Sequence, residues 1–168
     1  VTYASVKISA VVSQLNTIDH DGSVMRVAER LRNLYREAQA ANTFINLDME
    51  EYRDLQITVD VFKRVLSEPE FGAMDAGIVL QAYLPESHAA FADLVSWSQW
   101  RRRELGGRIK VRLVKGANLA METTEAELHG WVAAPYGSKA DVDASYKRLV
   151  DAALRSDIAD AVRIGVAS

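Results

Sequence analysis

The sequence contains no cysteine and only three histidines. Without cysteine, the chain has no disulfide bonds, no thiol nucleophile and no thiolate-ligated metal site. The histidines His20, His88 and His129 lie far apart in the sequence and form no two-histidine helical pair, so a metal site is not expected. A chain without disulfides fits the reducing cytoplasm, which is the location that we expect.

The chain also lacks a basic excess and a long apolar run. Its 20 Lys and Arg residues stand against 23 Asp and Glu residues, for a net charge of -3. No surplus of cations is therefore present to neutralise the phosphates of a nucleic acid. No apolar stretch approaches the roughly 20 residues that a membrane-spanning helix needs. Neither nucleic acid binding nor membrane spanning is predicted.

The composition is that of a globular protein, with 49% hydrophobic and 26% charged residues in 168. This length suits one domain or a part of a larger one. The first residues, "VTYASVKISA", and the last, "VRIGVAS", both have the pattern of a buried strand. We therefore expect residues 1–168 to be a piece of a larger domain.

Strand-like and helix-like segments alternate along the whole chain. Strands are predicted near residues 3–9, 43–48, 76–83, 109–114 and 162–168, and helices at about 22–40, 51–66, 85–105, 117–130 and 138–155. Five strands separated by helices predict a parallel α/β sheet with right-handed crossovers. A doubly wound sheet and an α/β barrel both fit this order. The absence of a GxGxxG motif after the first strand counts against a dinucleotide-binding unit.

Four successive strands each carry one polar residue on the face opposite their apolar side chains: Lys7, Asp48, Gln81 and Arg112. In a barrel these faces point inward and meet at the carboxyl-terminal mouth, where barrel enzymes have their active sites. Burial of a lone cation costs several kcal/mol unless it is paired. We therefore expect the four residues to lie in register, with the charged ones neutralising one another or a bound anion. Structural ion pairing is the alternative, and the pattern does not identify a ligand.

Five segments of the chain resemble flavin-dependent proline dehydrogenases. They are "SVKISA", "INLDMEEYRDLQITVDVF", "GIVLQAYLP", "KVRLVKGANLAME" and "YGSKADVDASY", in this order. The likeness is greatest to the proline dehydrogenase part of bifunctional proline-utilisation proteins of actinobacterial type. It implies a partial, distorted (βα)8 barrel with FAD at the carboxyl ends of the strands. It also implies oxidation of L-proline to Δ1-pyrroline-5-carboxylate in proline catabolism, with electrons passed from the flavin to quinone.

The same resemblance assigns a role to individual residues. Lys7 corresponds to the lysine that binds the substrate carboxylate, and Asp48 and Arg112 correspond to catalytic residues beside the flavin. The expected cofactor contacts are Met49, Gln81, Val114, Lys115, Gly116, Ala117, Lys139 and Ser168. Many members of the family have an aromatic pair after "KGA", where this chain has Asn118 and Leu119.

The resemblance also implies partners for a longer parent chain. These are a fused pyrroline-5-carboxylate dehydrogenase domain, quinone, a peripheral contact with the inner face of the membrane, and further copies in a homo-oligomer. The family's substrate-clamping arginine pair belongs to its final helix, outside this sequence. We therefore expect this segment alone to turn over no substrate.

Two alternatives come from the residues themselves. One is a cofactor-free barrel lyase of the aldolase type, with Lys7 or Lys115 forming a Schiff base on a carbonyl substrate. The other is a non-catalytic piece that associates with further copies through an open sheet edge.

Overall fold

The structure is a computed structural model that describes residues 2–167. Its strands are β1 (Thr2–Lys7), β2 (Thr43–Asp48), β3 (Ala76–Gln81), β4 (Ile109–Val114) and β5 (Val162–Val166). Its α-helices are α1 (Ile8–Val11), α2 (His20–Ala40), α3 (Leu55–Leu66), α4 (Ser87–Glu104), α5 (Leu119–His129) and α6 (Lys139–Ala153). Short 3-10 helices at Tyr52–Asp54 and Ser156–Ile158 complete the order.

The five strands form one sheet in the order β1-β2-β3-β4-β5, and every neighbouring pair is parallel. A doubly wound sheet reverses its strand order at a switch point. The sheet of residues 2–167 has no such reversal, so each crossover advances in the same direction. This is the arrangement of consecutive strands in a (βα)8 barrel, and the predicted partial TIM-like barrel is confirmed.

The alternation of side chains gives the sheet one apolar and one polar face. In β4, Ile109, Val111 and Leu113 are buried, whereas Lys110, Arg112 and Val114 are half-buried. The apolar face packs against helices, with α2 against β2, α4 against β3 and β5, and α6 against β4. The other face is the interior of the barrel. Its polar residues therefore point toward the barrel axis and away from the helices.

The amino-terminal strand is shorter than predicted. β1 ends at Lys7, and Ile8 and Ser9 belong to the short helix α1 rather than to the strand. The apolar and polar residues of "VKISA" alternate in a way that also fits a strand, so the pattern does not show this turn. Ile8 is buried in the core, which accounts for the change of direction after Lys7. The last predicted strand residue, Ser168, lies outside the described residues.

No helix within residues 2–167 has the length and apolar character needed to cross a membrane. The same residues contain no group of three or more acidic or histidine side chains that could hold a metal ion.

Candidate active site

Strand register places three of the four predicted polar positions in one layer of the barrel interior. Lys7 lies beside Asp48, and Arg112 lies beside Val79. Because Leu47 pairs with Ile78, the next residue, Asp48, falls next to Val79. Gln81 pairs with Val114 and stands one layer nearer the mouth. The expectation that all four lie in register was therefore wrong for Gln81, because β3 extends two residues further toward the mouth than the level of Arg112.

A cleft of about 290 Å³ opens at the carboxyl ends of these strands. Most of the predicted site residues line it: Lys7, Asp48, Met49, Gln81, Arg112, Val114, Lys115, Gly116 and Ala117. They come from the ends of four strands, β1 to β4, and from the residues that follow β2 and β4. The fold thus brings together residues that are more than a hundred positions apart in the sequence, at the end of the barrel where such enzymes place their active sites.

Arg112 reaches across β3 toward Asp48. The two residues stand on strands β4 and β2, so their backbones are about two strand spacings, roughly 10 Å, apart. The long guanidinium side chain passes Val79 and brings Nη2 to 4.0 Å from Asp48 Oδ1. The two side chains keep 34% and 29% of their surface exposed. This is a loose ion pair that leaves both groups able to contact a ligand.

Lys7 pairs with Glu50 rather than with Asp48. Its Nζ donates a hydrogen bond of 2.8 Å to Glu50 Oε1, and Ser9 Oγ donates to the other carboxylate oxygen. The hydrogen bond and charge of Glu50 raise the pKa of Lys7, and Asp48 adds a smaller effect in the same direction. Lys7, Asp48 and Arg112 therefore do not neutralise one another as a group of three. Lys7 pairs with Glu50, and Arg112 lies near Asp48.

Two polar atoms in the cleft are buried and have no hydrogen-bond partner among residues 2–167: Gln81 Oε1 and Arg112 Nε. Gln81 is 2% exposed, and its Nε2 donates to the carbonyl oxygen of Met49 at 2.8 Å. A buried polar group without a partner costs about 1–3 kcal/mol. One unsatisfied acceptor and one unsatisfied donor in the same cleft indicate a ligand that presents both kinds of group.

Gly116 forms the floor of the turn after β4 in a conformation that other residues rarely adopt. Its φ is +134°, and an added Cβ would lie 2.5 Å from the ring of Tyr83. The chain is held there because the Tyr83 N–H donates to the carbonyl oxygen of Lys115 at 2.8 Å. Only glycine fits this position, because any side chain would collide with the Tyr83 ring that packs against the turn.

A second cleft, of about 400 Å³, shares Lys115 and Gly116 with the first and extends to the start of α6. Lys139 lines this second cleft and not the first. Asp143 joins the two cations, since Lys115 Nζ lies 2.5 Å from one of its oxygens and Lys139 Nζ lies 2.6 Å from the other. These hydrogen bonds lower the pKa of Asp143 to about 2. The two lysines therefore carry one shared counter-ion.

Two charged residues of the site were not predicted from the sequence. Glu50 was missed because it follows the end of β2, yet it continues the two-residue alternation of Asn46 and Asp48. Asp143 was missed although it stands four positions after Lys139, the spacing of a helical ion pair. Both signals were present in the sequence. Ser168, the remaining predicted contact, falls beyond the part of the chain that the structure describes.

Comparison with known proteins agrees with this geometry. The family model described as "Proline dehydrogenase" matches residues 2–168. The chain is 32% identical over 151 residues to a proline dehydrogenase of Deinococcus radiodurans, covering 88% of this chain and 39% of that protein. It is 31% identical over 144 residues to the bifunctional protein PutA of Salmonella typhimurium, covering 84% of this chain and 11% of that protein.

Solved structures show the same relationship. Proline utilization A of Corynebacterium freiburgense matches with a TM-score of 0.94 and 51% identity, over 98% of this chain and 17% of that chain. The corresponding protein of Bdellovibrio bacteriovorus matches with a TM-score of 0.89 and 38% identity, also over 98% and 17%. The chain thus spans less than half the length of each of these relatives. The resemblance inferred from the five sequence segments is confirmed, and the chain belongs to the proline dehydrogenase family.

Proposed function

We propose that this chain forms the cofactor-binding part of an FAD-dependent proline dehydrogenase, which oxidises L-proline to Δ1-pyrroline-5-carboxylate in proline catabolism. The observation that carries the proposal is a pair of buried atoms, Gln81 Oε1 and Arg112 Nε, in the mouth of a barrel of this family. Neither atom has a partner within the described part of the chain. The proposal accounts for charged residues on an inner strand face that simple packing would leave apolar.

The residues of the cleft fit a flavin. The pyrimidine edge of an isoalloxazine presents both an N–H donor and carbonyl acceptors, which match the free oxygen of Gln81 and the free N–H of Arg112. Gly116, which lines the cleft, lets the turn after β4 pack directly against the Tyr83 ring. Lys115 and Lys139, in the adjoining cleft, are placed to bind phosphate groups by exchanging Asp143 for a phosphate oxygen. Bound FAD would supply the acceptor for the two electrons and the proton removed as hydride from proline.

The protein residues of the site bind and orient the substrate. Lys7 remains a cation, because Glu50 raises its pKa, and an ammonium group is suited to a proline carboxylate. With FAD bound, Arg112 would supply a positive charge that stabilises negative charge on the cofactor, and the nearby Asp48 would help to orient that guanidinium. In this assignment Asp48 and Arg112 are the catalytic residues, and Lys7 binds the substrate.

The reaction must be completed by groups outside this chain. The oxidation forms a C=N bond in proline, so the electrons have to leave the site, and we infer quinone as their acceptor. The parent protein would then be cytoplasmic, would contact the inner face of the membrane peripherally, and would carry a dehydrogenase domain that consumes the product. Its relatives include bifunctional proteins of this kind.

The geometry does not favour the Schiff-base alternative. A lysine nucleophile must lose its proton, which a lowered pKa assists. Glu50 instead raises the pKa of Lys7, and Lys115 is held in an ion pair of 2.5 Å with Asp143.

Self-association through a sheet edge is a separate property that is compatible with the proposed function. β1 pairs only with β2 within residues 2–167, and its residues alternate between exposed and half-exposed. A free strand edge is a template for pairing with another chain. Sedimentation velocity of this segment over a range of concentrations separates a monomer from an edge-paired oligomer.

The test of the proposed function uses the full-length protein purified with added FAD. We expect a protein-bound flavin absorption spectrum that is bleached by L-proline, together with reduction of a quinone analogue that depends on proline. Protein that stays colourless after reconstitution would refute the proposal. A lysine adduct trapped by borohydride with a carbonyl substrate would establish the lyase instead.

A further inference from the structure

The segment that follows β2, residues 49–52, is held by three side chains that bond only to its backbone. Gln81 Nε2 donates to the carbonyl oxygen of Met49 at 2.8 Å. Asn118 Nδ2 donates to the carbonyl oxygen of Glu50 at 2.6 Å. The N–H of Tyr52 donates to Glu122 Oε1 at 2.6 Å. Because all three bonds involve main-chain atoms of the segment, they determine its path whatever side chains it carries.

Two of these three side chains belong to the beginning of helix α5. Asn118 is the residue before the helix, and Glu122 lies four positions further on, so the two share one face. They bond to points two residues apart in the segment. α5 itself follows directly after the Gly116 turn, so these bonds connect the loop after β4 to the loop after β2 across the carboxyl end of β3.

Glu122 is buried in this contact, with 8% of its surface exposed. Burial raises the pKa of Glu122, the bond from the Tyr52 N–H opposes this effect, and the charges of Glu125 and Glu51 add to it. The positive charge of Arg53 has a smaller, opposing effect on the pKa of Glu122. A buried acidic side chain among other acidic groups is costly, and its one hydrogen bond in the described chain goes to this segment.

The held segment carries a charged group of the cleft. Glu50 stands in its middle, and its carboxylate accepts hydrogen bonds from Lys7 Nζ and Ser9 Oγ. The position of the Glu50 backbone therefore decides where Lys7 is held. Without it, Lys7 is a flexible side chain that is 51% exposed at the edge of the sheet.

We propose that Asn118 and Glu122 are positioning residues, which set the location of the Lys7 ammonium by fixing the Glu50 backbone. This inference rests on the proposed function, in which Lys7 binds the substrate carboxylate. It assigns a role to Asn118 at a position where the resemblance pointed only to an absent aromatic ring. It also connects the cofactor-binding turn after β4 to the substrate-binding side of the cleft.

The experiment compares E122A, E122Q and N118A in the full-length, FAD-reconstituted protein, with E127A as the matched control. Glu127 is an exposed residue of the same helix and has no hydrogen bond to the segment in the described chain. E122A and N118A should each raise the KM for proline about tenfold while kcat changes less, because binding of the carboxylate is weakened. E122Q keeps an acceptor oxygen and should restore a KM close to that of the wild type, as E127A should.

A second readout does not depend on turnover. Hydrogen exchange of the Tyr52 amide should be accelerated in E122A and remain slow in E122Q and E127A. If the wild type does not oxidise proline, the proposed function fails. The exchange rate of the Tyr52 amide still shows whether Glu122 holds residues 49–52. Equal KM values and equal exchange in E122A, N118A and E127A would overturn the inference. So would an E122Q variant as impaired as E122A, because a simple loss of stability would then explain both.

Discussion

Gln81 Nε2 donates a hydrogen bond of 2.8 Å to the carbonyl oxygen of Met49, and this bond orients the free Oε1 of the same amide into the cleft. A side-chain amide that is 2% exposed has little freedom to rotate, so its acceptor is presented in one direction. The nitrogen of the Gln81 amide thus holds the loop after β2, whereas the oxygen is available to a ligand.

Replacement of Gln81 tests whether its amide contacts the flavin. Q81M keeps the size of the side chain but removes both the donor and the acceptor. We expect the Kd for FAD, measured by fluorescence titration of the full-length apoprotein, to rise about tenfold or more, in line with a lost buried hydrogen bond of 1–3 kcal/mol. Q56M, at an exposed position of α3, is the control and should leave the Kd unchanged. An unchanged Kd in Q81M would show that the free oxygen does not contact the flavin.

Replacement of Arg112 should lower activity without lowering the stability of the folded protein. Its Nε is buried without a partner and its nearest carboxylate oxygen lies at 4.0 Å, so the side chain contributes little to the folded state without a ligand. We expect R112M to lower proline-dependent dye reduction about a hundredfold, because a charge that stabilises the transition state is lost. The thermal midpoint of the FAD-free protein should stay the same or rise. A lower midpoint with normal activity would contradict both the catalytic assignment and the loose ion pair.

Gly116 should tolerate no side chain. G116A combines a φ of +134° with a methyl group 2.5 Å from the Tyr83 ring. We expect the free energy of unfolding, measured with denaturant, to fall by about 1–3 kcal/mol from backbone strain alone, with a loss of flavin binding. Gly137 lines the adjoining cleft and has nothing within 4 Å of an added Cβ, so G137A is the matched control. Equal stability of the two variants would show that the turn adapts.

The buried carboxyl group of Asp54 should make the stability of the folded state depend on pH. Asp54 is 7% exposed, and burial together with the charge of Glu51 raises the pKa of Asp54 to about 6 from the ordinary value of 3.8. The folded state therefore holds the proton more tightly than the unfolded state. The stabilisation is complete below pH 3.8 and is lost as the pH rises through about 6.

The variant D54N should remove this dependence. At pH 7 we expect it to be more stable than the wild type by roughly 2 kcal/mol, whereas at pH 4 the two should differ little. Denaturant unfolding at both pH values measures the difference, and D21N, at an exposed position of α2, is the control. A constant difference between pH 4 and pH 7 would mean that Asp54 titrates normally.

The two lysines of the second cleft should differ in their effect on the cofactor. Lys115 lies on the border of both clefts and is 41% exposed, whereas Lys139 is 84% exposed at the start of α6. We expect K115A to weaken FAD binding several-fold and K139A to change it less than about twofold, because an exposed charge is screened by solvent and salt. Titration at low and high ionic strength measures both. A larger effect of K139A than of K115A would indicate that the phosphates bind nearer to the start of α6 than to the border between the two clefts.

Local patterns in the sequence were sufficient to predict the strands and the polar residues on their inner faces. The resemblance to a known family supplied the rest of the predicted cleft lining, and the local order of elements fitted a doubly wound sheet as well as a barrel. The two-residue alternation of "INLD" and "IKVRLV" assigns Asp48 and Arg112 to the face opposite the apolar residues. Burial follows that alternation in β4, whereas in β2 the polar Asn46 is buried as well. Such patterns fail where two conformations share them. The segment "VKISA" alternates like a strand, yet the chain turns into a helix at Ile8 because that side chain enters the core.

The sequence by itself determined which residue types face the barrel interior, because side-chain direction in a strand depends only on the parity of the position. Only the tertiary structure decided which of these residues meet. The register of the strands places Gln81 one layer nearer the mouth than Arg112. Lys7 forms its ion pair with Glu50, although Asp48 is its neighbour in the adjacent strand. Those distances depend on how far each strand extends and where each loop is held. Hydrogen bonds between residues some 30 to 70 positions apart, such as those of Gln81, Asn118 and Glu122, set these positions, and no local sequence pattern encodes them.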